Sequence, residues 1–285
     1  MKTMALTIII QDAYREALIA ELVEMDFYGF EERDESLVAY IEVQHFNDVN
    51  REFLEVLMAK YPGDNYITSE APVEEKNWNS EWEKSIKPIE IGEFWVQPTW
   101  YNQQIPSDKT VLYIDPKMAF GTGYHETTRL LLLALPEVFT KRTKRVDKLL
   151  DIGTGTGILA IASIKLGASE ALGLDIDPWS IQNATENIHL NKVSDKISIK
   201  ESSTELLEKE EQFDVVFANI NRNTIADLAA DLVSHLDQSK GDLLLSGLLE
   251  KDAAFIQNLP QFKSLTCRRC WQEGEWVALW FTTVN

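Results

Sequence analysis

The chain has 285 residues, 45% of them hydrophobic, and a formal net charge of −19, enough apolar material for one large domain or two ordinary ones. The charge is uneven: residues 1–75 hold 17 Asp and Glu against 5 Lys and Arg, a net of −12, leaving −7 for the rest. Such an acidic first quarter disfavours nucleic acid or an anionic membrane as a direct partner and suits a basic protein, although solubility alone also favours it.

The first elements are short and alternate. TIIIQ (7–11) reads as a strand, and Asp12 as the N-cap of a helix over 13–25 with Ala17, Leu18, Leu22 and Met25 on one face. The apolar run here is too short and too poorly flanked for a signal peptide. FYGFEER and SLVAYIEV read as strands joined by a turn at Asp34–Glu35. An amphipathic helix over 48–60 follows, with Phe53, Leu54 and Leu57 inward and Pro62–Gly63 as its stop. NYITSEAPV completes a β-α-β-β-α-β order, the ferredoxin-like pattern. This gives a small α+β domain over 1–72.

Residues 73–90 read as a linker helix, with Trp78 and Trp82 four apart on one face to dock it on a domain. Within 91–285, EFWVQPTW and TVLYIDP come first as strands, joined by QQIPSDK. A helix over 127–139 includes the longest apolar run, 130–136, well short of the ~20 residues of a membrane span. From 145 the pattern is regular. VDKLLDIG, EALGLDID, KISIKES, FDVVFANI and GDLLLSGLL are strands, interleaved with helices at GILAIASIKLG, PWSIQNATENIHLNKV, IADLAADLVSHL and KDAAFIQNL. Alternation of this kind means an α/β fold with a doubly wound parallel sheet. LTCRRCW and EWVALWF are joined by the short turn Gln272–Glu273–Gly274 and must pair antiparallel, because a tight turn cannot make a parallel crossover. A mostly parallel sheet with one late antiparallel hairpin is the shape of the class I methyltransferases.

Asp151-Ile-Gly153-Thr-Gly155-Thr-Gly157 follows a strand and opens a helix, which makes a ligand-binding glycine loop credible. A dinucleotide fingerprint would place its third glycine where Ile158 stands, and a phosphate-cradling loop would end in Gly-Lys-Ser/Thr, which this loop lacks. A dehydrogenase or an NTPase is therefore disfavoured. Asp175 ends the next strand, where a carboxylate can accept hydrogen bonds from both ribose hydroxyls. A glycine loop without phosphate chemistry plus a ribose carboxylate describes a nucleoside, and S-adenosylmethionine fits. The bland alternative is a tight strand-to-helix turn with no ligand.

A second glycine cluster, DPKMAFGTGYHETT (115–128), precedes this loop. Its residues Ala119, Phe120, Gly121, Thr122, Gly123, His125, Thr127 and Thr128, placed directly before such a fold, resemble the ribosomal protein methyltransferase family PrmA, which modifies the large-subunit stalk-base protein L-eleven. The resemblance extends to Trp78 and Trp82, to DIGTGTGILAIA, to LGLDIDP with Asn183, Asn187 and Asn191, and to FANI and LLLSGLL. It is close over about 76–250; residues 1–72 match in layout only.

The resemblance implies S-adenosylmethionine as cofactor, held by Thr128, Gly153, Asp175 and Asn219, with Phe120, Gly121, Thr127, Asp151, Gly155 and Ile176 as further contacts. It implies methyl transfer to lysine side chains or the α-amine of a basic ribosomal protein held by the acidic domain. The charge and the cysteine usage make the expected protein cytoplasmic, in direct contact with neither nucleic acid nor membrane, and a monomer is expected. No side chain is assigned as a catalytic base. Asn219 can orient the acceptor amine or cap the next helix, and His125 reads first as a packing or hydrogen-bonding residue. N-I-N-R (219–222) stands where amide and base methyltransferases have N-P-P-Y, so a planar amide or base is a weaker acceptor. A methyltransferase for another protein or a small-molecule amine stays open, as does a cofactor-free binding module. Cys267 and Cys270, three apart on a strand, should face opposite ways. With no second cysteine pair, no zinc site is expected. Two cysteines form no disulfide framework, which suits a reducing, cytosolic setting.

Overall fold

The computed structural model describes residues 3–34, 36–73, 86–101, 104–117, 119–142, 144–208 and 210–283. The linker-helix expectation, with Trp78 and Trp82, lies outside the described residues. The chain divides into two compact units, Met1–Trp78 and Asn79–Asn285.

The first unit runs β1 (Thr3–Ile9), α1 (Asp12–Glu24), β2 (Gly29–Arg33), β3 (Ser36–Glu42), α2 (Asp48–Met58), β4 (Tyr66–Pro72). Its antiparallel sheet has the order β2-β3-β1-β4, the ferredoxin-like arrangement. Strand alternation puts Leu6, Ile8, Leu37, Ala39 and Ile41 in one core with Leu18, Leu22, Leu54 and Leu57 of the helices. Three local expectations fail. The N-cap of α1 is Gln11, and Asp12 instead pairs with Arg15 at 2.7 Å. Ala17 is exposed while Arg15 is buried, its guanidinium donating to the Asp34 carbonyl. Phe53 is 51% exposed and Met58 takes the inward place. A helical stripe read from spacing drifts by one position when more apolar residues are available than the core can accept.

The second unit opens with a three-stranded sheet, β5 (Ile89–Ile91), β6 (Phe94–Gln97) and β7 (Thr110–Tyr113). The sequence reading lacked β5, which is only three residues long. The main sheet contains β8 (Lys148–Ile152), β9 (Glu170–Asp175), β10 (Ile197–Glu201), β11 (Val215–Asn219), β12 (Asp242–Leu249), β13 (Leu265–Glu273) and β14 (Trp276–Thr283). Their order is β10-β9-β8-β11-β12-β14-β13. Pairing is parallel from β10 through to β12, and antiparallel for β12 with β14 and β14 with β13. The expected doubly wound sheet with a late hairpin is therefore present. Its turn falls at Gly274–Glu275, after a strand that runs through Glu273.

Adjacent strand residues feed opposite faces. Leu149, Val215, Phe217 and Leu244 enter a core with α3 (Glu126–Lys141), α4 (Ile158–Lys165) and Ile188 of α5 (Pro178–Leu190). Leu150, Val216, Ala218 and Leu243 enter a second core with α6 (Arg222–Ser234) and Ile256 of α7 (Glu250–Gln257). Burial on both faces explains the unbroken apolar strand sequences, and each fully buried Leu or Val contributes roughly 1.5–3 kcal/mol. A bulge between Cys267 and Arg269 resets the alternation, so that Cys267 packs on the second core and Trp271 on the first. The straight-strand reading, which turned Cys267 and Cys270 to opposite faces, loses its premise there. Burial raises both thiol pKa values.

At the N-terminal end of the parallel strands sits a buried ionic network. Arg142 pairs with Asp214 (3.3 Å) and with Asp242, whose other oxygen accepts from Trp280 Nε1 at 2.7 Å. The second Asp214 oxygen accepts from the Asp147 and Lys148 amides at 2.8 and 3.1 Å, and Lys240 reaches its first at 2.5 Å. Among the described residues no helix is long and apolar enough to cross a membrane.

Candidate active site

Connections from β8 proceed to β9 and β10 on one side, while β11 and β12 lie on the other. The carboxyl ends of β8 and β11 therefore flank the switch point of the sheet, where open α/β folds form their crevice. Asp151 and the glycine loop close β8, Asp175 closes β9, and Asn219 closes β11. Topology alone gathers these residues.

The glycine loop needs its glycines. Gly153, Gly155 and Gly157 have φ of 70°, 55° and 79°, a left-handed backbone costly for other residues. A Cβ on Gly155 would overlap the Phe120 carbonyl, and one on Gly153 would crowd Ile220. The two glycine clusters are stitched together: Thr156 N donates to Phe120 O at 2.8 Å, and Thr156 Oγ1 donates to Gly121 O. Gly121 itself has φ of 96°.

Asp175 is held by the same loop, accepting from Gly155 N at 2.9 Å and Asp177 N at 3.1 Å. Beside it, Ile176 is 76% exposed and Phe120 52% exposed, two apolar surfaces free to cover a flat ring. Asp151 is buried and accepts from Thr154 Oγ1 at 2.8 Å through one oxygen. Its other oxygen has no hydrogen-bond partner among the described residues, and burial pushes its pKa up to about 7, with the nearby Asp175 charge adding to the rise.

Asn219 has the same character. Its Oδ1 is buried without a partner among the described residues, and its Nδ2 reaches Thr128 Oγ1 only at 3.4 Å. It does not cap the following helix; Asn221 does, accepting from Thr224 N at 3.0 Å. Thr127 and Thr128 are fully buried in the first turn of α3, which starts at Glu126 and reaches Lys141, one turn longer than its sequence pattern indicates. His125 caps that helix: its Nδ1 accepts from Thr127 N at 3.3 Å and lies 2.9 Å from Thr127 Oγ1. Its ring packs 5.2 Å from Phe120 and 4.8 Å from Trp276.

Two supports escaped sequence reasoning. Arg129 grips Glu273 of the terminal hairpin at 2.6 Å and Glu126 at 3.2 Å, and donates to the Tyr124 carbonyl. These partners raise the guanidinium pKa further. Asn183, Asn187 and Asn191 clamp residues 113–115. Asn183 Nδ2 donates to Asp115 O (2.8 Å), Asn187 Oδ1 accepts from Asp115 N (2.9 Å) and Asn191 Oδ1 accepts from Tyr113 N (3.1 Å). Their i, i+4, i+8 spacing on one helix face was legible, and so was the strand β7; that the one holds the other was not.

The residues fit an S-adenosylmethionine-sized nucleoside. An anionic carboxylate at a strand end suits ribose hydroxyls. The open Asp151 and Asn219 oxygens are hydrogen-bond acceptors with nothing to accept from, and buried polar groups rarely persist so unless a ligand completes them. Sheet order, glycine loop and strand-end acid together define a class I methyltransferase.

The family model for "Ribosomal protein L11 methyltransferase (PrmA)" matches residues 1–283. A ribosomal protein L11 methyltransferase of Bacteroides fragilis is 36% identical over 273 residues, 95% of this chain and 94% of that protein. That of Porphyromonas gingivalis is 36% identical over 276 residues, 96% and 92% of the two chains. A solved ribosomal protein L11 methylase from Lactobacillus delbrueckii subsp. bulgaricus superposes with a TM-score of 0.62 at 30% identity, covering 70% of this chain and all of that one. The chain belongs to the ribosomal protein L11 methyltransferase (PrmA) family.

Proposed function

We propose that this chain transfers methyl groups from S-adenosylmethionine to amino groups of ribosomal protein L11, on lysine side chains, the α-amine or both. One observation carries the site assignment: Asp151 Oδ1 and Asn219 Oδ1 are both buried and open at the switch point of the sheet. Thr128, Gly153, Asp175 and Asn219 hold the cofactor, with Phe120, Gly121, Thr127, Asp151, Gly155 and Ile176 around them. When bound, the cofactor supplies an electrophilic methyl on a cationic sulfur. Asp175 takes the ribose hydroxyls, the loop glycines let the nucleoside lie against backbone, and Asp151 takes the ammonium of the amino-acid tail.

The acceptor amine must be neutral, and a free lysine is neutral only about one part in a thousand near pH 7.5. Burial and an adjacent positive charge lower that pKa. Asn219 Oδ1 aims the amine by accepting one of its hydrogens, and solvent takes the released proton. Alignment of this kind supplies much of the rate. His125 does not serve as the base; its Nδ1 is committed to the helix cap.

Residues 1–72, with their acidic excess, hold the basic substrate, and the enzyme works as a cytoplasmic monomer. The test is mass spectrometry of purified L11 incubated with the full chain and S-adenosylmethionine. Added methyl groups on amines support the reading; unmodified L11 with an active cofactor site would reassign the acceptor.

A further inference from the structure

The first glycine cluster is soft by composition. Gly121 and Gly123 have φ of 96° and 87°, and glycine loses more conformational freedom on ordering than any other residue. Such a segment keeps one shape only where it is tied down on both sides of the glycines. On one side the ties are the Phe120 and Gly121 carbonyls, which accept from Thr156 of the second glycine loop. On the other side they are made by Tyr124.

Tyr124 is held through its side chain and its backbone at once. Its hydroxyl accepts from Lys87 N at 2.6 Å and donates to the Lys87 carbonyl. Its own carbonyl accepts from Arg129 of α3. Lys87 stands two residues before β5. The small sheet that β5 opens also backs the cluster directly, since a Cβ at Gly123 would meet Ile91 and Val96 at 3.4 and 3.6 Å. Burial raises the phenol pKa, against the lowering effect of the Lys87 backbone, so the hydroxyl keeps the proton that it donates. Both hydroxyl bonds end on the backbone of Lys87, a residue that is itself exposed. A phenylalanine at 124 would fill the same space and make neither bond.

From these contacts we infer that Tyr124 is a positioning residue for the cofactor: by tying the first glycine cluster to the Lys87 backbone, it holds Phe120, whose ring is 52% exposed, in place to cover the bound nucleoside. The inference rests on the cofactor site of the proposed function. Tyr124 acts through the cluster and not on the reacting atoms. It supplies order in advance, which the binding step then does not have to supply. Saturating cofactor restores that order, so affinity depends on Tyr124 and turnover does not.

The experiment compares the full native chain with Tyr124→Phe, by calorimetric titration with S-adenosylmethionine and by the kinetics of L11 methylation. Tyr124→Phe is expected to raise both Kd and KM for S-adenosylmethionine about five- to tenfold, the effect of losing one or two hydrogen bonds. Its kcat at saturating cofactor is expected to stay within about twofold of the native value. A purely structural role would instead reduce the folded fraction, lowering kcat and leaving KM alone. Lys87→Ala keeps the backbone and is expected to match the native chain. A native KM and Kd in Tyr124→Phe, or a shift in Lys87→Ala as large as that in Tyr124→Phe, overturns the inference. Failure of the native chain to bind S-adenosylmethionine would sink the proposed function and this inference with it; equal affinity of the native chain and Tyr124→Phe sinks the inference alone.

Discussion

The two ends of the same parallel strands treat buried aspartates in opposite ways. At the N-terminal end both oxygens of Asp214 and both of Asp242 are engaged, by Arg142, Lys240, Trp280 and backbone amides. At the C-terminal end Asp151 has one oxygen satisfied and one open. The electrostatics follow for one of the pair. Burial pushes Asp214 up, but Lys240 and the two amides outweigh it and leave its pKa lowered; Asp242 stays raised by burial despite Trp280 and Arg142, and Asp151, without a cation, is pushed up to about 7. One end is finished as a structure, and the other keeps buried oxygens without a partner among the described residues.

Breaking the comparison at its most rigid point should have the largest effect. Gly155→Val forces a side chain into a left-handed backbone and against the Phe120 carbonyl. Both glycine clusters should separate, and calorimetry should show no S-adenosylmethionine binding. At the other end, Arg142→Ala leaves buried Asp242 without its cation while Asp214 keeps Lys240, a loss of about 3 kcal/mol readable in urea unfolding. S-adenosylmethionine affinity of the folded protein should be unchanged; a coupled loss of binding would mean the two ends are not independent. Asp175→Ala should cost about 1.5–3 kcal/mol of cofactor affinity through lost charge-assisted bonds.

The pH dependence sharpens the contrast. Asp151 has a folded-state pKa of about 7, above that of an ordinary carboxylate, so the fold favours its neutral form. Its ionisation therefore works against folding as pH rises from about 4 towards 7. A bound ammonium reverses that preference, so S-adenosylmethionine affinity should fall as pH drops below about 7. Asp151→Asn should flatten the profile; an unchanged slope would remove Asp151 from the tail contact. The smallest effect separates two neighbours. Asn221→Ala should lower stability by about 1 kcal/mol, the worth of an N-cap, and spare binding. Asn219→Ala should do the reverse.

Much of this was visible in the sequence because the strands announce themselves. Runs such as DLLLSGLL are apolar throughout since both faces are covered, and DIGTGTG then Asp175 sit at strand ends where topology assembles them. The failures share a cause. Gln11 and not Asp12 is the cap of its helix, and Met58 is buried where Phe53 is exposed, choices made by packing and not by pattern. The Arg129–Glu273 bridge spans 144 residues, a separation at which no local signal exists. Asn219 illustrates the middle case: its strand-end position was legible, while its open amide oxygen depended on Asn221 taking over the cap.

Two segments tied to the helices of the site are anchored by different forces. Residues 113–115 hang from three uncharged amides, whereas the hairpin tip hangs from a guanidinium and a carboxylate. Added electrolyte weakens the second attachment and leaves the first alone. Ionic strength is thus a dial that loosens one of these attachments and leaves the other unchanged.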